Sequence, residues 1–280
     1  MQFTIPVNIR PSDTPIDHST PIVMLGSCFT DNIGTRLLTD GFDVSVNPMG
    51  ALYNPATIAR VVNRALERRN YTVTDLYEHS GVWHCLDYAS RRQGRDPELI
   101  LKELNDDFNA FSDTLNRAST WIVTFGTSWV FNHLPTKSLV GNCHKLPMNQ
   151  FMRSRMSVDE IVQLWQPLMV PGRRIIFTVS PVRHLSDGLD GNTLSKATLR
   201  LAVDSLTSDI NQGEYFPAFE IQLDELRDYR FYAADMKHPS EVAIDYIYSR
   251  FADTYFSRET RLKALDARHD YLLSQHRPIL

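Results

Sequence analysis

Val23-Met-Leu-Gly-Ser-Cys-Phe-Thr-Asp-Asn-Ile-Gly34 opens apolar, breaks at Gly26 and then presents a hydroxyl and a thiol, Ser27 and Cys28, before a helical spacing sets in. A short apolar run closed by glycine reads as a buried strand, and the residues after the glycine read as the start of a helix. Two possible nucleophiles side by side at such a turn have two explanations. Either one attacks a substrate, or both are small residues fitted to a tight corner.

Four further runs carry the same signature: residues 42–46, 120–125, 174–179 and 214–221. Pro217 interrupts the last, which suits an edge strand. Helical patterns fall between the runs, at residues 31–40, 55–68, 97–115, 158–169 and 194–211, and two more close the chain at 240–256 and 259–274. Strands alternating with helices predict an α/β fold with a central, mostly parallel five-stranded sheet covered on both faces. A length of 280 residues allows one large domain. The stretch 71–116 is long for one crossover and predicts an insertion or lid within a single domain spanning residues 1–280.

Ligands of open parallel sheets bind at the carboxyl ends of the strands. After the five runs come Gly26-Ser-Cys-Phe-Thr30, Asn47-Pro-Met-Gly50, Gly126-Thr-Ser-Trp129, Ser180-Pro-Val-Arg-His184 and a longer loop ending Asp235-Met-Lys-His-Pro-Ser240. Small, hydroxyl and ionisable side chains gather in all five, which favours an enzyme. In the last loop, Asp235 and His238 stand three apart just before a helix. Pro239 holds His238 extended and suits the first helical turn. The pair supplies a base and its orienter, or else a helix cap with an incidental histidine. A second Asp-x-x-His, Asp266 and His269, lies within a helical pattern and reads as a solvated pair.

The chain lacks Gly-x-Ser-x-Gly, a phosphate-binding loop and Gly-x-Gly-x-x-Gly. Cys143-His144 and His84-Cys85 are adjacent pairs whose side chains diverge on an extended backbone, so no metal site and no cofactor is expected. A net charge of −4 gives no nucleic-acid footprint, and Arg91-Arg-Gln-Gly-Arg95 reads as a solvated loop. Three scattered cysteines, no signal-peptide pattern and no membrane-length apolar run predict a cytoplasmic, soluble chain with no membrane partner.

Taken in order, Gly26-Ser-Cys-Phe29, Asn47-Pro-Met-Gly-Ala-Leu-Tyr-Asn-Pro55, Gly126-Thr-Ser-Trp129, Asn142-Cys-His-Lys145, Ser180-Pro-Val-Arg-His184 and Asp235-Met-Lys-His238 resemble the GSCFA-domain family. The resemblance runs from about residue 22 to 256. That family is grouped with the SGNH hydrolases, which implies a three-layer α/β/α sandwich, flavodoxin-like in build, and acyl-ester chemistry on lipids or O-acylated glycans. It implies Asp235 and His238 as two triad members and Gly50 as an oxyanion donor. The superfamily's oxyanion asparagine, in a Gly-x-Asn block, aligns with Ser128 here, leaving Ser128 or Asn142 for that role. The Gly-Asp-Ser-Leu block of the superfamily laid on Gly26-Ser-Cys-Phe29 places the nucleophile at Cys28; a one-residue shift places it at Ser27.

A thiol opening a helix beside a histidine is expected to have its thiolate favoured by the helix dipole and the imidazolium. The expected function is hydrolysis or transfer of an acyl group on a small acyl ester, thioester or O-acylated glycan. Arg183, His184 and His144 are candidate substrate contacts. Trp83, His84 and Tyr88 either line the acceptor side or pack as a lid without touching substrate. The rival expectation is a glycan-binding module that kept the fold and lost catalysis. No motif sets the oligomeric state.

Overall fold

The computed structural model describes residues 4–88, 92–208 and 213–275. Its central sheet contains β1 (Ile22–Gly26), β2 (Val44–Val46), β3 (Thr120–Phe125), β4 (Arg174–Val179) and β5 (Gly213–Tyr215), in the order β5-β4-β3-β1-β2. Every neighbouring pair is parallel, with Met24 beside Ile122 and Ile122 beside Ile176. Successive side chains of a strand point to opposite faces, and the core divides accordingly. Val23, Leu25, Trp121, Val123, Phe125, Ile175, Phe177 and Val179 join one cluster; Ile22, Met24, Ile122 and Ile176 join the other.

Helices cover each face. The first cluster takes α2 (Pro55–Leu66), α3 (Pro97–Arg117), α4 (Val158–Trp165) and α5 (Gly188–Leu206); the second takes α1 (Cys28–Thr39), α6 (Glu241–Tyr255) and α7 (Arg258–Gln275). The result is a three-layer sandwich. Phe29, Ile33 and Leu37 recur every four residues along α1 and are buried, each stabilising the layer by roughly 1.5–3 kcal/mol. Local signals start the helices: Asn54 caps α2 ahead of Pro55, Asp96 caps α3 ahead of Pro97, and Ser157 with Glu160 forms a capping box on α4. Among the described residues, no helix is long and apolar enough to cross a membrane.

From β1 the chain steps to β2 on one side and then returns to β3 on the other. The strand order therefore reverses at β1 and β3, whose carboxyl ends open a crevice. Gly26 ends β1 there with φ +146°, and a Cβ at that position would lie 2.3 Å from the Thr124 carbonyl oxygen. Only glycine tolerates that conformation and that approach.

Several elements differ from the sequence reading. β5 stops at Tyr215, and the apolar residues after Pro217 form a helical turn, Ala218–Glu220, that continues as a π-turn over Ile221–Leu226. Pro217 has φ −83°, suited to a helical start, so Ala218 and Ile221 reach the core by helical rather than strand spacing. Helix α5 spans Gly188–Leu206 rather than 194–211, and residues 209–212 lie outside the described residues. The stretch 71–116 contributes α3 to the core, together with a small antiparallel sheet of Tyr77–His79, Val82–His84 and Gln93–Gly94. In the expected basic loop, Arg91 is outside the described residues, while Arg92 pairs with Glu103 and Asp107. A second antiparallel sheet, Trp129–His133, Ser138–Val140 and Phe151–Arg155, stands between β3 and α4 and had no counterpart in the sequence reading.

Candidate active site

A cleft of about 450 Å³ opens at the carboxyl ends of the strands, and Cys28, Tyr53, Asn54, Trp129, Asn142, Arg183, His184 and His238 are among the residues lining it. Cys28 is the first residue of α1 and is partly exposed. Ser27, the N-cap, is fully buried; its hydroxyl makes no capping bond and has no partner among the described residues. Of the two candidate nucleophiles, the thiol faces the cleft and the hydroxyl is sealed behind it.

Burial pushes the Cys28 thiol above its ordinary range, and the Asp31 charge adds to that. The N–H groups of Cys28 and Phe29 act in the opposite direction. Desolvation therefore outweighs the helix N-terminus, contrary to the expectation of a favoured thiolate. Asp31 accepts a bond of 2.7 Å from the Asn47 amide, while Asn47 Oδ1 accepts one of 2.9 Å from the Gly26 N–H. One asparagine thus ties the end of β1 to α1 and to the loop after β2.

His238 also lines the cleft, and its Nδ1 lies 2.6 Å from Asp235 Oδ2. The other carboxylate oxygen accepts the backbone N–H groups of Lys237 and His238 at 2.9 and 3.1 Å. These bonds, His238 first, hold the Asp235 carboxyl well below the usual range. An ionised carboxylate only accepts, so Nδ1 carries the hydrogen and the neutral ring keeps its lone pair on Nε2. The loop is fixed from both ends: Ser240 caps α6, and the Arg183 N–H donates to the Lys237 carbonyl at 3.0 Å.

The expected oxyanion donors separate. Gly50 gives its N–H to the Asn47 carbonyl at 2.7 Å in a tight turn and does not line the cleft. Ser128 is buried, its N–H and hydroxyl both directed to Ser195 Oγ at 2.8 and 3.2 Å. Neither faces the cleft, so both expectations are corrected. Asn142 does face it. Its Oδ1 accepts the His144 N–H at 2.8 Å, which leaves the side-chain NH₂ as a donor. Asn54, which the sequence reading passed over, is oriented the same way: its Oδ1 accepts the Thr57 N–H at 2.9 Å as the cap of α2. Asn-Pro ahead of a helical run was the available signal, because a cap fixes which end of the amide is left over.

His144 is buried away from the cleft, with Nε2 2.9 Å from the Tyr88 carbonyl and Nδ1 3.3 Å from His84 Nδ1. It braces loops rather than contacting substrate, which corrects its expected role. Trp83, His84 and Tyr88 also lie outside the cleft lining. The wall they were offered for is built by Trp129, Phe131 and Arg153 of the second antiparallel sheet. Arg153 covers the Trp129 ring at 4.6 Å and pairs with the buried Asp187 carboxylate.

His184 packs edge-on against Tyr53, and burial, helped by Lys196 and His238, pushes its ring down to about 4. It is neutral at physiological pH. Behind it, the buried Lys196 Nζ lies 2.6 Å from the Gly126 carbonyl and 2.7 Å from that of Ser180, joining the loops after β3 and β4. Among the described residues, no group of three or more His, Cys, Asp or Glu is arranged to hold a metal ion.

A family model described as the GSCFA family matches residues 21–251. No curated protein and no solved structure matches the chain.

Proposed function

We propose, from the premise that the chain belongs to the GSCFA family, that it transfers acyl groups through Cys28, His238 and Asp235, in the manner of an SGNH hydrolase. The observation that carries this reading is that Cys28 and His238 line one cleft while Asp235 holds Nδ1 of His238 at 2.6 Å. Nε2 is thereby the basic atom.

In the proposed reaction, His238 Nε2 takes the proton from Cys28 Sγ as the sulfur attacks the carbonyl carbon of an ester or thioester. The bond from that carbon to the leaving oxygen or sulfur breaks, and His238 returns the proton to the leaving group. A water or alcohol then loses its proton to His238 and attacks the acyl-cysteine, restoring the thiol. The base is essential because the thiol is held above its ordinary range and enters the reaction protonated. Backbone N–H groups at the start of α1 and the amides of Asn54 and Asn142 supply the negative oxygen with donors, each worth a few kcal/mol in a dry site. Substrates are small acyl esters, thioesters or O-acylated glycans.

The test is release of 4-nitrophenol from 4-nitrophenyl acetate, with trapping of the acetyl group and peptide mapping. Acetylation at Cys28, with turnover lost in Cys28→Ala and His238→Ala, supports the reading. Turnover unaffected by both substitutions ends it. A glycan-binding module without catalysis would draw on Trp129 and Phe131, but Arg153 lies over both rings, which favours the enzyme.

A further inference from the structure

Arg183 and Lys237 line the cleft from two different loops, brought together by the bond between the Arg183 N–H and the Lys237 carbonyl. Among the described residues, neither has a carboxylate within ion-pair distance. The nearby acids are already engaged: Asp187 pairs with Arg153, and Asp235 is taken by His238 and two N–H groups. The Arg183 guanidinium lies 4.0 Å from the Tyr232 ring centroid and 5.1 Å from that of Tyr229. Contact with two aromatic rings restrains the guanidinium without neutralising its charge. A half-buried guanidinium with no carboxylate beside it matches the two oxygens of a carboxylate or phosphate.

We propose that the compound processed in the cleft carries an oxyanion, carboxylate or phosphate, gripped by Arg183 with Lys237 beside it. The inference rests on the acyl-transfer reading for what the anion is attached to, but the site can be tested without turnover. Lys237 directly precedes His238, so an anion held there fixes one end of the compound next to the base. Proximity of this kind favours the acyl carbon that the same molecule presents to Cys28. The neutral His184 ring adds no competing charge.

The test titrates benzoate, phenylphosphonate and the neutral benzamide into the intact chain by calorimetry and follows protection of Cys28 from iodoacetamide. At least one anion is expected to bind tenfold or more tightly than benzamide, to weaken with added salt, and to slow alkylation of Cys28. Arg183→Gln is expected to weaken that anion at least tenfold, and Arg183→Lys less, since the charge survives and the fork does not. Lys237→Gln, on an exposed side chain, is expected to weaken it a few-fold and guards against a folding defect at Arg183. A preference for benzoate assigns a carboxylate source, and a preference for phenylphosphonate assigns a phosphate source. The proposal is overturned if both anions bind no better than benzamide, bind Arg183→Gln as well as the wild type, or leave Cys28 unprotected. Loss of the acyl-transfer reading shows instead as turnover independent of Cys28, which leaves these binding constants unaltered.

Discussion

Asp235 Oδ2 and His238 Nδ1 stand 2.6 Å apart, with His238 lining the cleft, and the same carboxylate gathers two backbone N–H groups. The acid thus shapes its own loop and sets the tautomer of the ring. In Asp235→Asn, the amide can present NH₂ to Nδ1 and move the hydrogen to Nε2, where it blocks the base. Turnover is expected to fall by roughly 10³–10⁴-fold. Alkylation of Cys28 by a neutral reagent is expected to change far less, because the thiol keeps its surroundings. Both rates can be measured on the same preparation, and equal losses would point to a collapsed loop instead.

Ser27 makes the opposite case. Its hydroxyl is fully buried and has no partner among the described residues, so it incurs a desolvation penalty without an offsetting bond. Ser27→Ala is expected to stabilise the fold by about 1 kcal/mol and to leave acylation at Cys28 intact. Denaturant unfolding and peptide mapping measure the two effects. Acylation abolished in a well-folded Ser27→Ala would return the nucleophile to the hydroxyl.

The thiol itself is held above its ordinary range by burial and by Asp31. The midpoint of its alkylation-rate profile is therefore expected above pH 9, where that of an unperturbed thiol lies. Asp31→Asn keeps an oxygen that can accept from the Asn47 amide but removes the charge. The alkylation profile is expected to move to lower pH, speeding the reaction at pH 8 by a few-fold. A profile that does not move would mean that desolvation alone sets the thiol.

How much of this was legible in the sequence depends on which atoms the motifs expose. The sheet was legible because its buried strands are continuous apolar runs, such as Thr120–Phe125, and each is closed by small residues. Cys28 stood out as a candidate because it follows a strand and opens a helix, and Asp235 and His238 because they stand just before one. Gly50 and Ser128 were matched by position alone, and position does not say which bonds a turn consumes. Their donors go to Asn47 and Ser195. Asn54 was within reach through the capping rule, which fixes its amide. The sheet carrying Trp129 and Arg153 was not, since its strands of three to five residues are too short for alternation to stand out from a loop.

Lys196 offers a test of the scaffold behind the site. Burial pushes its amine down to about 7, from an ordinary 10.5. The two carbonyls it meets, Gly126 and Ser180, match the two N–H donors of a neutral amine. Between about pH 7 and 10.5 the unfolded chain holds a proton that the folded chain has released. Stability from this group therefore rises with pH across that window and is lost as pH falls towards 7. From pH 7 to 9 the gain is about 2 kcal/mol. Lys196→Met removes the titration along with both bonds, so it is expected to be less stable at every pH and to lack that rise. The comparison that decides is the slope of unfolding free energy against pH, wild type minus variant, because other titrating groups cancel in the difference. Parallel slopes would mean that the amine stays charged in the folded chain, and that a negative partner, such as the Cys28 thiolate, compensates it.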